Sequence, residues 1–420
     1  MKRLVKTVLL GLVASAATAS WAADHYWYGK STSDVTQAEW YNGIGTWSSE
    51  VYFITEKDLK DGAASVTTLD FSQIDQDTVV KKFCVANGLD DERVVTFTGG
   101  AKFGELHVGY WGSYAEYSGR LVLDGAYTTG YLEMGPWLNQ SYAITGMVEV
   151  ARSSSLAVNG ETRMGTSTQG VGVLVVKGDM DSNGTLTAGY AAGGKGVVEI
   201  VGGTVYSTGD PTVGMSGTGT LTVGNGGAFW SGAGFGSRVW TQIAKNAGST
   251  GTINLNAGGE MYASQINKGA GSAYVNFNGG RLTVIYDDTL LTSDIAVTVG
   301  AQGGTIDTAG YSTKIATGIS GEGTLTITGR GSVAFNVKPT CAVEIENGTA
   351  VFTAATTPGS VALGTGGFVE YDLSGETEAG KTVVLGENVA MTTSDESPVA
   401  EHVIIRNNGE LYWNVSYADG

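Results

Sequence analysis

One short pattern of apolar and polar positions dominates the chain. It reads Gly, any residue, apolar, any residue, apolar. It returns with Leu121 and Leu123, Val148 and Val150, Leu174 and Val176, Val198 and Ile200, Leu221 and Val223, Ile253 and Leu255, and Leu325 and Ile327. Ala273 replaces the leading Gly before Val275 and Phe277, and Val297 and Val299 supply a further copy. A period of two is the signature of a strand with one buried face. A Gly-Gly turn and a second apolar strand follow several copies, as at Gly202-Gly203 before Val205 and Gly258-Gly259 before Met261. A third element ends in apolar-Gly, as at Val108-Gly109, Met134-Gly135, Met164-Gly165, Ala188-Gly189 and Val213-Gly214. The unit is thus three short strands, repeating at about 25 residues.

Three short strands joined by tight turns cannot bury a core alone. Stacked units can, because each strand then pairs with its equivalent one coil away and the inward side chains form apolar columns. The pattern therefore predicts an all-β fold, a parallel β-helix or β-solenoid. The general rule for parallel crossovers makes it right-handed. Val148, Leu174, Val198, Leu221, Ile253 and Val275 are expected in one inward column. Gly is expected at the corners, where positive φ or close backbone approach excludes a side chain. An antiparallel sandwich also uses short strands, but gives no reason for one motif to return at this spacing.

The repeat does not extend over the whole chain. Residues 1–22 read as a secretory signal: Lys2, Arg3 and Lys6, then an apolar run from Val8 to Ala17, then Ser20-Trp21-Ala22 with cleavage after Ala22. Residues 23–100, with Trp27, Trp40 and Trp47, are expected to form a β-rich cap that merges into the first coils. The Gly-rich repeats occupy 101–340. Residues 341–420 are expected to continue as irregular coils and close the far end, since a solenoid must protect both terminal edges.

Composition supports this picture and removes alternatives. The chain has 65 Gly but only 5 Pro in 420 residues and no G-X-Y period, which excludes collagen. Hydrophobic residues make up 42%, too many for a disordered chain. The formal net charge of −17 argues against nucleic acid as a partner. No span after the signal is long and apolar enough to cross a membrane as a helix. Cys84 and Cys341 fall near opposite ends of the expected rod and are read as separate thiols.

Candidate chemistry is sparse. His25, His107 and His402 are the three histidines, and no metal-ligand spacing can be built around them. Asp90-Asp91 and Asp287-Asp288 are adjacent pairs in expected loops. Neighbours on a strand point to opposite faces, so neither reads as a catalytic pair. Asp307 is expected to make a turn hydrogen bond. No cofactor, metal or catalytic residue is assigned. One cluster stands out: Tyr110, Trp111, Tyr114, Tyr117, Tyr131 and Trp137, with Tyr127 and Tyr142 in the same stretch. Such rings either contact a glycan or pack over the first coils.

Residues 303–331 carry a more specific signal. Gly303-Gly304-Thr305-Ile306-Asp307-Thr308 is followed by Ile319-Ser320-Gly321-Glu322-Gly323-Thr324-Leu325-Thr326-Ile327-Thr328-Gly329-Arg330-Gly331. This resembles the autotransporter-associated β-strand repeat of bacterial surface proteins, and residues 105–285 look like the looser Gly-rich repeats of the same passenger-like proteins. The resemblance implies a β-helix outside the cell, often adhesive or surface-forming. Those proteins usually end in a membrane-inserted barrel, whose pattern of alternating strands is not seen in this sequence. The expected function is a secreted or cell-surface structural and adhesive solenoid without catalytic activity, in a bacterial host. Expected partners are surface glycans or other cell-surface proteins. The alternative is a carbohydrate-binding or carbohydrate-active protein, such as a polysaccharide lyase or hydrolase, on the same scaffold.

Overall fold

The computed structural model describes residues 67–86, 94–112, 115–135, 144–353 and 361–372, with shorter stretches at 24–27, 34–36, 40–41, 51–55, 355–356, 358, 382–385, 389–391, 403–406 and 414–417. Residues 1–22, expected to be a secretory signal, lie outside them. Every regular element among the described residues is a β-strand. No helix there is long and apolar enough to cross a membrane. The strands stack as a parallel β-solenoid of roughly 24 residues per turn.

The solenoid has three faces. Face I is a sheet of 11 parallel strands running from Thr68–Asp70 to Ile319–Gly321. Its central members are Thr145–Val150, Val171–Val176, Lys195–Val201, Thr218–Gly224, Thr250–Asn256 and Ser272–Asn278. Face II carries, among others, Thr204–Ser207, Ala228–Ser231, Glu260–Ala263, Arg281–Val284 and Gly304–Asp307. Face III carries Thr162–Met164, Trp240–Ile243, Gln265–Lys268, Thr289–Leu291 and Ser312–Ile315. Toward the ends, faces II and III merge into single long strands. Ala126–Met134 pairs with both Ser155–Val158 and Thr162–Met164, and Ala342–Phe352 pairs with Thr324–Thr328 and Ser332–Phe335. At the N-terminal end Val51–Thr55 extends the stack in parallel below Val79–Ala86.

The predicted column is present. Val148, Leu174, Val198, Leu221, Ile253 and Val275 are successive register partners, each at most 1% exposed. Val150, Val176, Ile200, Val223, Leu255 and Phe277 form a second column two residues on. Burying one such side chain contributes about 1.5–3 kcal/mol, so the columns dominate the stability of the rod. In the first coils aromatics replace aliphatics: Phe71, Phe83, Phe97, Phe103 and Tyr127 pack ring against ring.

The glycines divide by physical role. Gly165 and Gly189, at the turn from face III to face I, have φ of 67° and 68°. Gly214 follows one coil later with φ 80°, and Ala244 takes the same place in the coil after that with φ 52°. The leading Gly of the strand motif has a different reason. A Cβ at Gly172 would lie 2.6 Å from the Met134 carbonyl oxygen and 2.7 Å from Met164 Cα, so a side chain there meets backbone of the preceding coils.

Candidate functional site

Among the described residues, a marked departure from the repeat lies at the corner between faces II and III. There the strand Ala228–Ser231 is joined to Trp240–Ile243 by residues 232–239. In the next coil Ser264 alone separates the equivalent strands. The long connection runs along the rod as a strap. Gly236 N donates to Ile285 O at 2.7 Å, and the Arg238 guanidinium lies 3.4 Å from Asp288 Oδ2. Ser264 Oγ donates to Val239 O at 2.5 Å, and Trp240 N donates to Asp210 Oδ1 at 3.1 Å. Gly232, Gly234 and Gly236, all with positive φ, let the strap leave and rejoin the coil.

Beneath the strap, the outer side of face II carries an aromatic row in register: Tyr206, Trp230 and Tyr262. Trp230 and Tyr262 stack with centroids 3.5 Å apart and planes 7° from parallel. Stacking covers the ring faces that a sugar would need, so this pair fastens neighbouring coils. Burial and a hydrogen bond with Glu260 push the Tyr262 phenol up to about 12. Phe235, at the tip of the strap, stands perpendicular to both rings and nearly parallel to Tyr311, 6.5 Å away. It is 56% exposed, which for a phenylalanine marks an unoccupied apolar surface.

Next to Tyr311, on face III, lies a cleft of about 350 Å³ lined by Asp287, Asp288, Thr289, Ser312, Thr313, Lys314, Ser332 and Ala334. Ser312 N donates to Asp287 Oδ1 at 2.6 Å. Thr289 N and Gln265 Nε2 donate to Asp288 Oδ1 at 2.8 and 3.3 Å. Thr313 Oγ1 donates to the Asp288 carbonyl at 2.6 Å. Asp288 is thus held by the scaffold and by Arg238. Asp287 is exposed, and neither it nor Lys314 has an ion-pair partner among the described residues. The adjacent aspartates line one cleft, contrary to the alternation expected of them, because the chain between Val284 and Thr289 is a bend and not a strand. Asp307 makes the expected turn bond, accepting from Ala309 N at 2.9 Å, and also pairs with Arg281.

A second polar cluster lies near the N-terminal end. Cys84, His107, Glu133 and Arg163 are register partners in successive coils on face III. They alternate with the inward Leu106, Val108, Leu132 and Met134, yet His107 and Glu133 are only 6% and 3% exposed. His107 Nδ1 is 2.9 Å from Glu133 Oε2 and its Nε2 is 3.0 Å from Glu105 Oε2, which also pairs with Lys82 at 3.3 Å. The hydrogen bond from His107 holds the Glu105 carboxyl down to about 2, with Lys82 adding to the effect against partial burial. This is a partly buried polar ladder that ties coils together. Sequence reading missed it, although His107 and Glu133 lie one coil length apart. Among the described residues no group of three or more His, Cys, Asp or Glu is arranged to hold a metal. Cys84 and Cys341 are both buried and are not joined in a disulfide.

The aromatic cluster foreseen in the sequence is only partly within view. Tyr110–Gly112 and Ala115–Tyr117 form an antiparallel hairpin that pairs Tyr110 with Tyr117 and Trp111 with Glu116 along the backbone. The side chains of Tyr110, Trp111 and Tyr117, and all of Tyr114 and Trp137, lie outside the described residues, as do Asp90 and Asp91. Tyr131 is half-buried on face III, with its ring 5.6 Å from His107 and Arg163 over it at 5.4 Å. Burial raises its phenol pKa. Tyr127 does not join a surface cluster: it points inward, 2% exposed, against Phe103.

No protein-family model, curated protein or solved structure matches the chain.

Proposed function

We propose that the chain is an exported structural and adhesive β-solenoid of a bacterial surface, built like the autotransporter-associated repeats it resembles and without catalytic activity. The observation that carries this reading is the way the resembling segment sits on the fold. Gly304–Asp307 is a face II strand, Ile319–Gly321 a face I strand, and Thr324–Thr328 the next face II strand. The motif therefore spans one coil, and its Gly303, Gly310, Gly321 and Gly329 all have positive φ. Uninterrupted parallel pairing over many coils makes a rod suited to display or spacing outside a cell. The basic and apolar start of the chain supports export.

The test is expression of the full chain in a Gram-negative host. Mass spectrometry of the product is expected to show a new N-terminus after Ala22, and protease added to intact cells is expected to reach the protein. A product that keeps residues 1–22 and stays in the cytoplasm contradicts the reading.

A further inference from the structure

We infer that the cleft on face III beside the strap is a binding site for neutral, polyhydroxylated sugar chains. The inference deepens the adhesive reading and rests on it. Its argument begins with what lines the cleft. Apart from Ala334, every lining side chain bears a hydroxyl, carboxylate or amine, and no large apolar group enters. Such a wall presents many hydrogen-bonding groups and matches a ligand dense in hydroxyl groups.

Asp287 and Lys314 make the match directional. Asp287 has one oxygen occupied by Ser312 N, leaving Oδ2 to accept, and Lys314 supplies donors. An acceptor and a donor in one cleft suit neighbouring sugar hydroxyls, each of which both gives and takes a hydrogen bond. Two rings lie near the cleft without lining it. Tyr311 directly precedes the cleft residue Ser312, and Phe235 lies beside it with more than half its surface open. Aromatic carbon next to charged acceptors fits the apolar C–H face and polar edge of a pyranose. The strap holds Phe235 there through Gly236 and Arg238, so the ring is positioned before any ligand arrives.

Charge selects among sugars. Asp288 is paired with Arg238 and Asp287 shares the lining with Lys314, so the cleft holds no net positive charge to attract an anion, within a chain of net −17. Uronates and sulfated sugars would find no net counter-charge, so the ligand class is neutral hexose chains. The volume of about 350 Å³ accommodates one or two sugar units, and the open course of face III lets a longer chain run past.

The experiment is calorimetric titration of the purified full chain with neutral hexose oligosaccharides of four to six units, α- and β-linked, and with oligogalacturonate as the anionic arm. At least one neutral oligosaccharide is expected to bind and oligogalacturonate is expected not to. Asp287→Asn keeps an acceptor for Ser312 N but removes the charge, and is expected to weaken binding about tenfold. Phe235→Ala is expected to weaken it about three- to tenfold. Both substitutions are exposed and are expected to leave the melting temperature within about 2 °C, since surface changes rarely exceed ±0.5 kcal/mol. No neutral oligosaccharide binding at millimolar concentration, preference for oligogalacturonate, or unchanged affinity in both folded variants overturns the inference. The purified chain is used, so failure here is separate from failure of export or surface display.

Discussion

At the corner between faces II and III, one coil turns through Ser264 alone, while the coil before it takes residues 232–239. Both coils place the same inward pair on face II, Phe229 over Met261, but on face III the buried Thr241 of the first coil stands opposite Ile266 of the next. The interiors thus differ at one buried threonine, whose hydroxyl donates to Ser231 Oγ. The larger difference is outside: the short corner leaves a plain surface, and the long one builds a strap that carries an exposed phenylalanine and pairs Arg238 with the cleft residue Asp288. Repetition makes the scaffold and departures from repetition make the features that can meet a ligand. This is the solenoid version of binding residues carried on loops above a rigid frame.

The comparison can be broken most severely from the interior. Val198→Asp would place a carboxylate in the face I column between Leu174 and Leu221, with no donor built to meet it. The expected loss is several kcal/mol, read as a large fall in melting temperature or loss of the β circular dichroism signal. A wild-type melt would mean the column is misassigned. Gly172→Ala follows. Its Cβ meets backbone atoms that cannot rotate away, and overpacking of that kind costs about 1–3 kcal/mol, to be measured as a lower urea midpoint.

Smaller effects are expected from the outer surface. Trp230→Ala removes the centre of the Tyr206–Trp230–Tyr262 row and one neighbour of Phe235. A loss of about 1–2 kcal/mol is expected from lost stacking and half-buried area, without unfolding. The Glu105 ladder adds a pH signature. Its folded pKa of about 2 lies below the ordinary 4.5. Its contribution is therefore complete above about pH 4.5 and disappears as pH falls toward 2. Because Glu105 is half exposed, the amplitude is expected to be under about 1 kcal/mol. Comparing urea midpoints of the wild type and Glu105→Gln across that window checks it: the variant should show a flatter profile.

The inward columns and the corner glycines could be read from the sequence because each position in them obeys a local rule, period two for strands and Gly where φ is positive. The strap could not. Its Gly-Ala-Gly-Phe-Gly run looks like one more turn, and only the structure shows that it travels from the coil of Trp230 to that of Tyr311. Asp287 and Asp288 were set aside by a strand rule that does not govern a bend. The His107–Glu133 pair joins two coils, and nothing in the local pattern around either residue announces it. It becomes visible only when the coil length is used as a ruler, with a charge then sought one repeat away on the outward side.

The central claim is that sequence repeats become axial steps of a three-faced parallel stack. Glu149, Val175, Glu199, Thr222, Asn254, Asn276, Thr298 and Ser320 form one outward column on face I. Spin labels at Glu149→Cys with Ser320→Cys, and at Glu199→Cys with Ser320→Cys, test it by pulsed dipolar spectroscopy. Steps of about 4.8 Å predict separations near ~34 Å and ~24 Å, a difference of two coils. Two distances differing by about 10 Å in that order would support the stack. Equal distances, or the shorter one for the Glu149 pair, would contradict it.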